Sequence, residues 1–215
     1  MSKFSSHIFV GYLPRMIMEK SGLKSESGEI WLSNPIVEEI CSISDCISVI
    51  ANGDDIWKRN ELGFYDSEEM AINIVPKTIP TYELFGYKLF PFQFDKGKCI
   101  EYQFGSKAIE NLSQYTSIGF DVISKSSSSF FECSPLSCNH ACETFPVNRY
   151  CLFENVDEAF KCATQISLEI ADAKITKRPD GIMEYNGTWE PGPYYAFQVY
   201  RKTKNIPVTS DAPFH

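Results

Sequence analysis

Cys138 and His140 stand two residues apart in "SCNHAC", and on an extended backbone residues at that spacing share one face. An imidazole there can draw the thiol pKa down from about 8.5 and make the thiolate a nucleophile. Asn148, eight residues further on in "PVNRYC", carries an amide able to orient the ring. This arrangement is that of a cysteine-dependent hydrolase or acyl transferase, with Cys138 attacking and His140 as base.

The same run, "FECSPLSCNHACETFPVNRYC" over residues 131–151, also invites a metal reading through Cys133, Cys138, His140, Cys142 and Cys151. Structural zinc sites are assembled from paired knuckles of two-residue spacing. No such knuckle is present, so no metal and no cofactor is expected; a small zinc site in this loop would use Cys138, His140 and Cys142. A third reading is burial, because cysteine behaves as a small hydrophobe. Cys133 and Cys151 lie in expected strands and Cys162 on an expected helix, which leaves "CNHAC" without a place in the core.

Two further clusters stand out. "TWEPGPYY" gathers Trp189, Glu190, Tyr194 and Tyr195 around a Pro-Gly-Pro turn, and aromatics beside a turn are typical anchors for a protein partner. "RNELGFYDSEE", with Trp57 just before it, brings Trp57, Arg59, Asn60, Glu61, Tyr65 and Asp66 together as material for a polar pocket, with helix capping the simpler role for Asp66.

Composition limits what these groups can serve. The 215 residues carry a net charge of -8 and 43% hydrophobic residues, enough to bury a core. Acidity argues against nucleic acid, which is bound by clustered Lys and Arg. The apolar stretch before Pro14 is too short for a leader core, and no run reaches the roughly 20 apolar residues that span a bilayer. The reading is therefore a cytoplasmic chain that binds no membrane, with reduced thiols and with sequons at Asn111 and Asn186 that match by chance.

The elements that must position these groups follow from pattern. The first thirty residues read as irregular. "NPIVEEICSISDCISVI" predicts a helix over 35–50 from the Asn34 cap, Pro35 and the spaced isoleucines. "DSEEMAINIVP" predicts a second over 67–75, capped by Asp66 and Glu69. Aromatic and β-branched runs from 79 to 153 predict hairpins, one turning at "DKGK", with a short helix at "SKAIENLSQY" between strands. Asn155 and Glu158 open a third helix over 156–171, and "YYAFQVYRK" is a final strand over 193–202, with Tyr195, Phe197 and Val199 on one face and Tyr194 and Ala196 on the other. No internal repeat is evident. The fold expected is α+β: one domain over 1–215, a mostly antiparallel sheet packed by three helices, with residues 30–76 able to form a helical N-terminal subdomain.

The strings "EEICSISDCIS", "NELGFYDSEE", "FECSPLSCNHACETFPVNRYCLF" and "EPGPYYAFQVYRK" resemble segments of uncharacterised bacterial cytoplasmic proteins. That resemblance implies an intracellular setting and transfers no activity and no catalytic residue. The function expected is a soluble intracellular binding or accessory protein without catalysis, acting on a protein partner; a homo-oligomer is left open.

Overall fold

The computed structural model describes residues 7–19, 30–33, 59–73, 82–125, 134, 145–148, 150, 152–171, 174–177, 179, 183–186 and 193–203. The helix expected over 35–50 lies outside these residues, as do most of the cysteine-rich run and the Trp189 turn.

Strands β1 (Ile8–Glu19), β2 (Ile30–Ser33), β3 (Tyr82–Asp95), β4 (Lys98–Glu101), β5 (Tyr115–Ser124) and β8 (Tyr194–Lys202) form one sheet in the order β2-β1-β3-β8-β5, with β4 also on β3. Every pairing in it is antiparallel. A separate hairpin joins β6 (Lys174–Lys177) to β7 (Met183–Asn186), where the sequence reads only as loop. Helices α1 (Glu68–Asn73) and α2 (Val156–Ala171) complete the described elements. The class is α+β around an antiparallel sheet.

The N-terminal segment is the main correction. Residues 8–19 are not irregular: β1 pairs with β3 from Ile8↔Leu89 to Met16↔Tyr82. Pro14 hides the strand in the sequence, since proline has no amide to give to a ladder. It is tolerated because on its other edge β1 is paired, among the described residues, only at Tyr12, which bridges to Tyr65, and from Met16 onward, which pairs with β2.

The β3–β4 hairpin follows its turn chemistry. Lys96 and Gly97 both take positive φ, 48° and 71°, the backbone of a two-residue type I′ turn. The Gly97 amide then donates to Ser167 Oγ on α2 at 3.0 Å, which ties the turn to the helix.

Both faces of the central strands are covered, because β8 alternates. Tyr195, Phe197 and Val199 join one buried cluster, and Tyr194 and Ala196 join the other. On the first face the Phe64 ring sits 5.2 Å from Tyr87 and 5.7 Å from Phe197. On the second, α2 lays Phe160 edge-on against Phe90 at 5.5 Å and packs Ala159, Cys162, Ala163 and Ile166 into the core. Each large apolar side chain so buried contributes about 1.5–3 kcal/mol. The α2 cap is as its sequence predicts, with the Glu158 amide donating to Asn155 Oδ1 at 3.0 Å. At α1 the cap is Ser67, whose Oγ accepts from the Met70 amide at 3.3 Å, and not Asp66, which is engaged by Asn60.

The short helix expected at "SKAIENLSQY", residues 106–115, does not form; the segment 102–112 has no regular element and Tyr115 already opens β5. That segment lies across the sheet, held where the Asn111 amide donates to Tyr12 Oη at 3.0 Å and Lys88 pairs with Glu110 at 2.6 Å. Leu112 fills the space above Gly86, where an added Cβ would come within 2.6 Å of it. Tertiary contacts of this number outweigh a weak helical propensity.

Candidate functional site

Asn60 builds one wall of a polar cavity. Its side-chain amide donates to Val10 O and to Asp66 Oδ1, both at 2.9 Å, while its Oδ1 accepts from the Leu62 and Phe64 amides at 3.0 and 3.1 Å. Its main-chain amide reaches Phe64 O at 2.7 Å. One side chain thus closes a turn on itself and fastens it to β1, the use to which a short amide is suited.

The facing wall is Gly105–Lys107, and the walls are linked where the Ile109 amide donates to Asp66 O at 3.3 Å. Between them lies a cleft of about 240 Å³ lined by Asn60, Glu61, Leu62, Asp66, Gly105, Ser106 and Lys107. Glu61 and Lys107 are exposed, and among the described residues neither has an ion pair or hydrogen bond. Ser106 Oγ accepts from the Ala108 amide at 3.2 Å, which leaves its own proton to give. The cleft therefore presents carboxylates from one wall and an ammonium and a hydroxyl from the other. Ile109, 74% exposed, adjoins it as the most exposed large apolar side chain among the described residues.

A second cavity, about 320 Å³, lies against α2 between Phe145, Pro146, Phe153, Glu158, Lys161, Cys162 and Gln165. Its thiol is buried, and burial, with Asp121 and Glu169 nearby, pushes Cys162 far above the ordinary thiol range. Cys99, exposed on β4, is also shifted up by partial burial. Burial and then Lys88 depress the His7 imidazole. Among the described residues no thiol is activated, and no group of three or more His, Cys, Asp or Glu could hold a metal.

Of the residues singled out by sequence, Cys138, His140, Cys142, Trp189 and Glu190 lie outside the described residues. Asn148 is described, and its side-chain amide bonds the main chain. Nδ2 donates to Ile118 O at 2.8 Å, and Oδ1 accepts from the Tyr150 and Leu152 amides at 2.9 and 3.3 Å. It fastens a loop to β5, and His140, the ring it was expected to orient, lies outside the described residues. Tyr194 and Tyr195 are 0% and 2% exposed, so they fill the two cores and present no ring to a partner. By contrast, the polar cluster around Asn60 and Glu61 does assemble a cleft. Its other wall, Gly105–Lys107, has no recognisable motif and was missed; two charged or polar residues after a glycine are ordinary surface composition.

No protein-family model, curated protein or solved structure matches this chain.

Proposed function

We propose that this chain is a binding protein without catalysis of its own, and that it engages a protein partner through the cleft between Asn60–Asp66 and Gly105–Lys107. The observation that carries the reading is the pair of opposite charges, Glu61 and Lys107, left unmatched in one cavity whose wall is fixed by Asn60. At about 240 Å³ the cavity is below the roughly 300–1,000 Å³ of ordinary small-molecule sites, a size suited to one or two side chains of a partner. Ile109 beside it offers the apolar contact that polar recognition needs for affinity. The lining supplies no thiol and no imidazole, which favours binding over covalent chemistry.

A photo-crosslinking residue placed at Ser106 tests this in living cells, with the same residue at exposed Glu101 on β4 as control. The expected result is one discrete adduct from position 106, absent from 101 and lost when Glu61→Lys reverses the facing charge. No adduct from 106, or the same adducts from both positions, contradicts the reading.

A further inference from the structure

The two loops fastened by Asn60 and Asn148 are built alike. Asn60 Nδ2 donates to Val10 O and its Oδ1 accepts from residues two and four ahead, Leu62 and Phe64. Asn148 Nδ2 donates to Ile118 O and its Oδ1 accepts from residues two and four ahead, Tyr150 and Leu152. Each main-chain amide reaches the carbonyl four ahead, at 2.7 Å in Asn60 and 2.8 Å in Asn148. The next residue then bridges to the strand, Tyr65 to Tyr12 and Phe153 to Phe120. Two residues later each chain caps a helix, through Ser67 and Asn155.

The strands beneath match as well. A bulge interrupts β1 between Phe9 and Gly11 and β5 between Ser117 and Gly119. Gly11 and Gly119 take φ of +131° and +142°. A Cβ on Gly11 would lie 2.5 Å from Tyr65 O and 2.9 Å from Phe64 Cβ; one on Gly119 would lie 2.7 Å from Phe153 O and 2.8 Å from Leu152 Cβ. The same two atoms of the same two loop positions are met in both places.

The sheet register closes the comparison. Gly11 pairs with Tyr87, and Gly119 pairs with Val199. Tyr87 and Val199 pair with each other at the middle of β3 and β8. On either side, Phe85↔Arg201 matches Leu89↔Phe197, and Gly86↔Tyr200 matches Lys88↔Gln198. A two-fold rotation through Tyr87–Val199 thus exchanges β1 with β5 and β3 with β8, and the order β1-β3-β8-β5 reads the same from both ends.

We infer that the chain is an internal duplication: two copies of one unit, strand, asparagine-fastened loop, helix and strand, joined across an interface between their last strands that is isologous in form. The sequence hides it because little persists beyond the glycine and its following aromatic, the asparagine, the acidic and capping residues, and the apolar character of the loop positions. In chain order, residues 20–59 separate β1 from Asn60 and residues 125–147 separate β5 from Asn148.

Exchange of the loops in the full chain tests this. Residues 60–67, "NELGFYDS", are replaced by "NRYCLFEN" from 148–155, with a scrambled version of the second string as control. The transplanted loop is expected to keep a cooperative unfolding transition and slow amide exchange at Tyr12, while the scrambled loop loses both. Because the transplant also changes core volume, Asn60→Ala and Asn148→Ala are measured alongside. Each is expected to lower the melting temperature by about 4–10 °C and to speed amide exchange first in its own copy. A transplant no better than the scramble, or an Asn148→Ala variant indistinguishable from the parent, overturns the duplication.

Discussion

Tyr12 and Tyr65 exchange both main-chain hydrogen bonds, at 2.9 and 3.0 Å, so a loop residue extends the outer edge of β1. That close approach needs Gly11, whose missing side chain leaves room for the Tyr65 carbonyl. Gly11→Ala combines a strained φ with a contact of 2.5 Å and is expected to cost about 2–4 kcal/mol. Urea denaturation measures it; a loss under about 0.5 kcal/mol would show that the bridge does not form as described.

Arg201 joins the two halves of the sheet. Its guanidinium meets Glu83 through Nε and Nη2 at 2.5 and 2.8 Å and gives a third bond to Tyr150 Oη at 2.5 Å. The bidentate geometry makes this stronger than an ordinary surface pair, although the site is partly open to solvent. Arg201→Met is expected to cost about 1–2 kcal/mol, with Arg201→Lys recovering less than half of it. Equal stability of Arg201→Lys and parent would count against the two-pronged contact.

The described thiols should separate cleanly by reactivity. Cys162 is 1% exposed and its thiol is held protonated by burial, so in native protein it should resist iodoacetamide and react only on unfolding. Cys99 should react, at no more than the rate of an ordinary thiol, since burial raises its pKa too. Peptide mass mapping after timed labelling reads both; native labelling of Cys162 at the Cys99 rate would contradict this packing.

Stability should fall on the alkaline side. Burial raises Cys162, Tyr115 and Tyr195 above the values of 9.0 for the thiol and 10.0 for the phenols. The folded chain keeps protons that the unfolded chain gives up, so their contribution is complete below pH 9 and declines as pH rises past 9 and 10. His7, depressed from 6.5 chiefly by burial, acts oppositely, and its contribution declines as pH drops through 6.5. Denaturation midpoints between pH 5 and 11 should therefore pass through a plateau; a midpoint still rising above pH 10 would be incompatible with these buried hydroxyls.

Much of the fold is legible where one local signal dominates. The Asn155–Glu158 cap and the alternation of Tyr195, Phe197 and Val199 identify α2 and β8 because each pattern is complete within its own element. β1 is not, because Pro14 carries the signal of a break while the strand is secured by β3, distant in sequence. Asp66 reads as a cap, yet Asn60 claims it and Ser67 takes the role, a choice made by tertiary contacts. The cleft is half legible for the same reason: Asn60, Glu61 and Asp66 are neighbours in sequence, whereas Ser106 and Lys107 reach them only through tertiary contacts such as the Ile109–Asp66 bond.

The most direct measurement of the binding proposal is adduct yield from the Ser106 crosslinker in four backgrounds: parent, Glu61→Lys, Lys107→Glu, and the two reversals together. If the cleft recognises opposite charges on one partner, each single reversal lowers the yield by roughly tenfold or more, and the double reversal does not restore it, because the partner's charges then face like charges at both positions. Yields unchanged by either single reversal would show that Glu61 and Lys107 recognise nothing, and would contradict the proposed function.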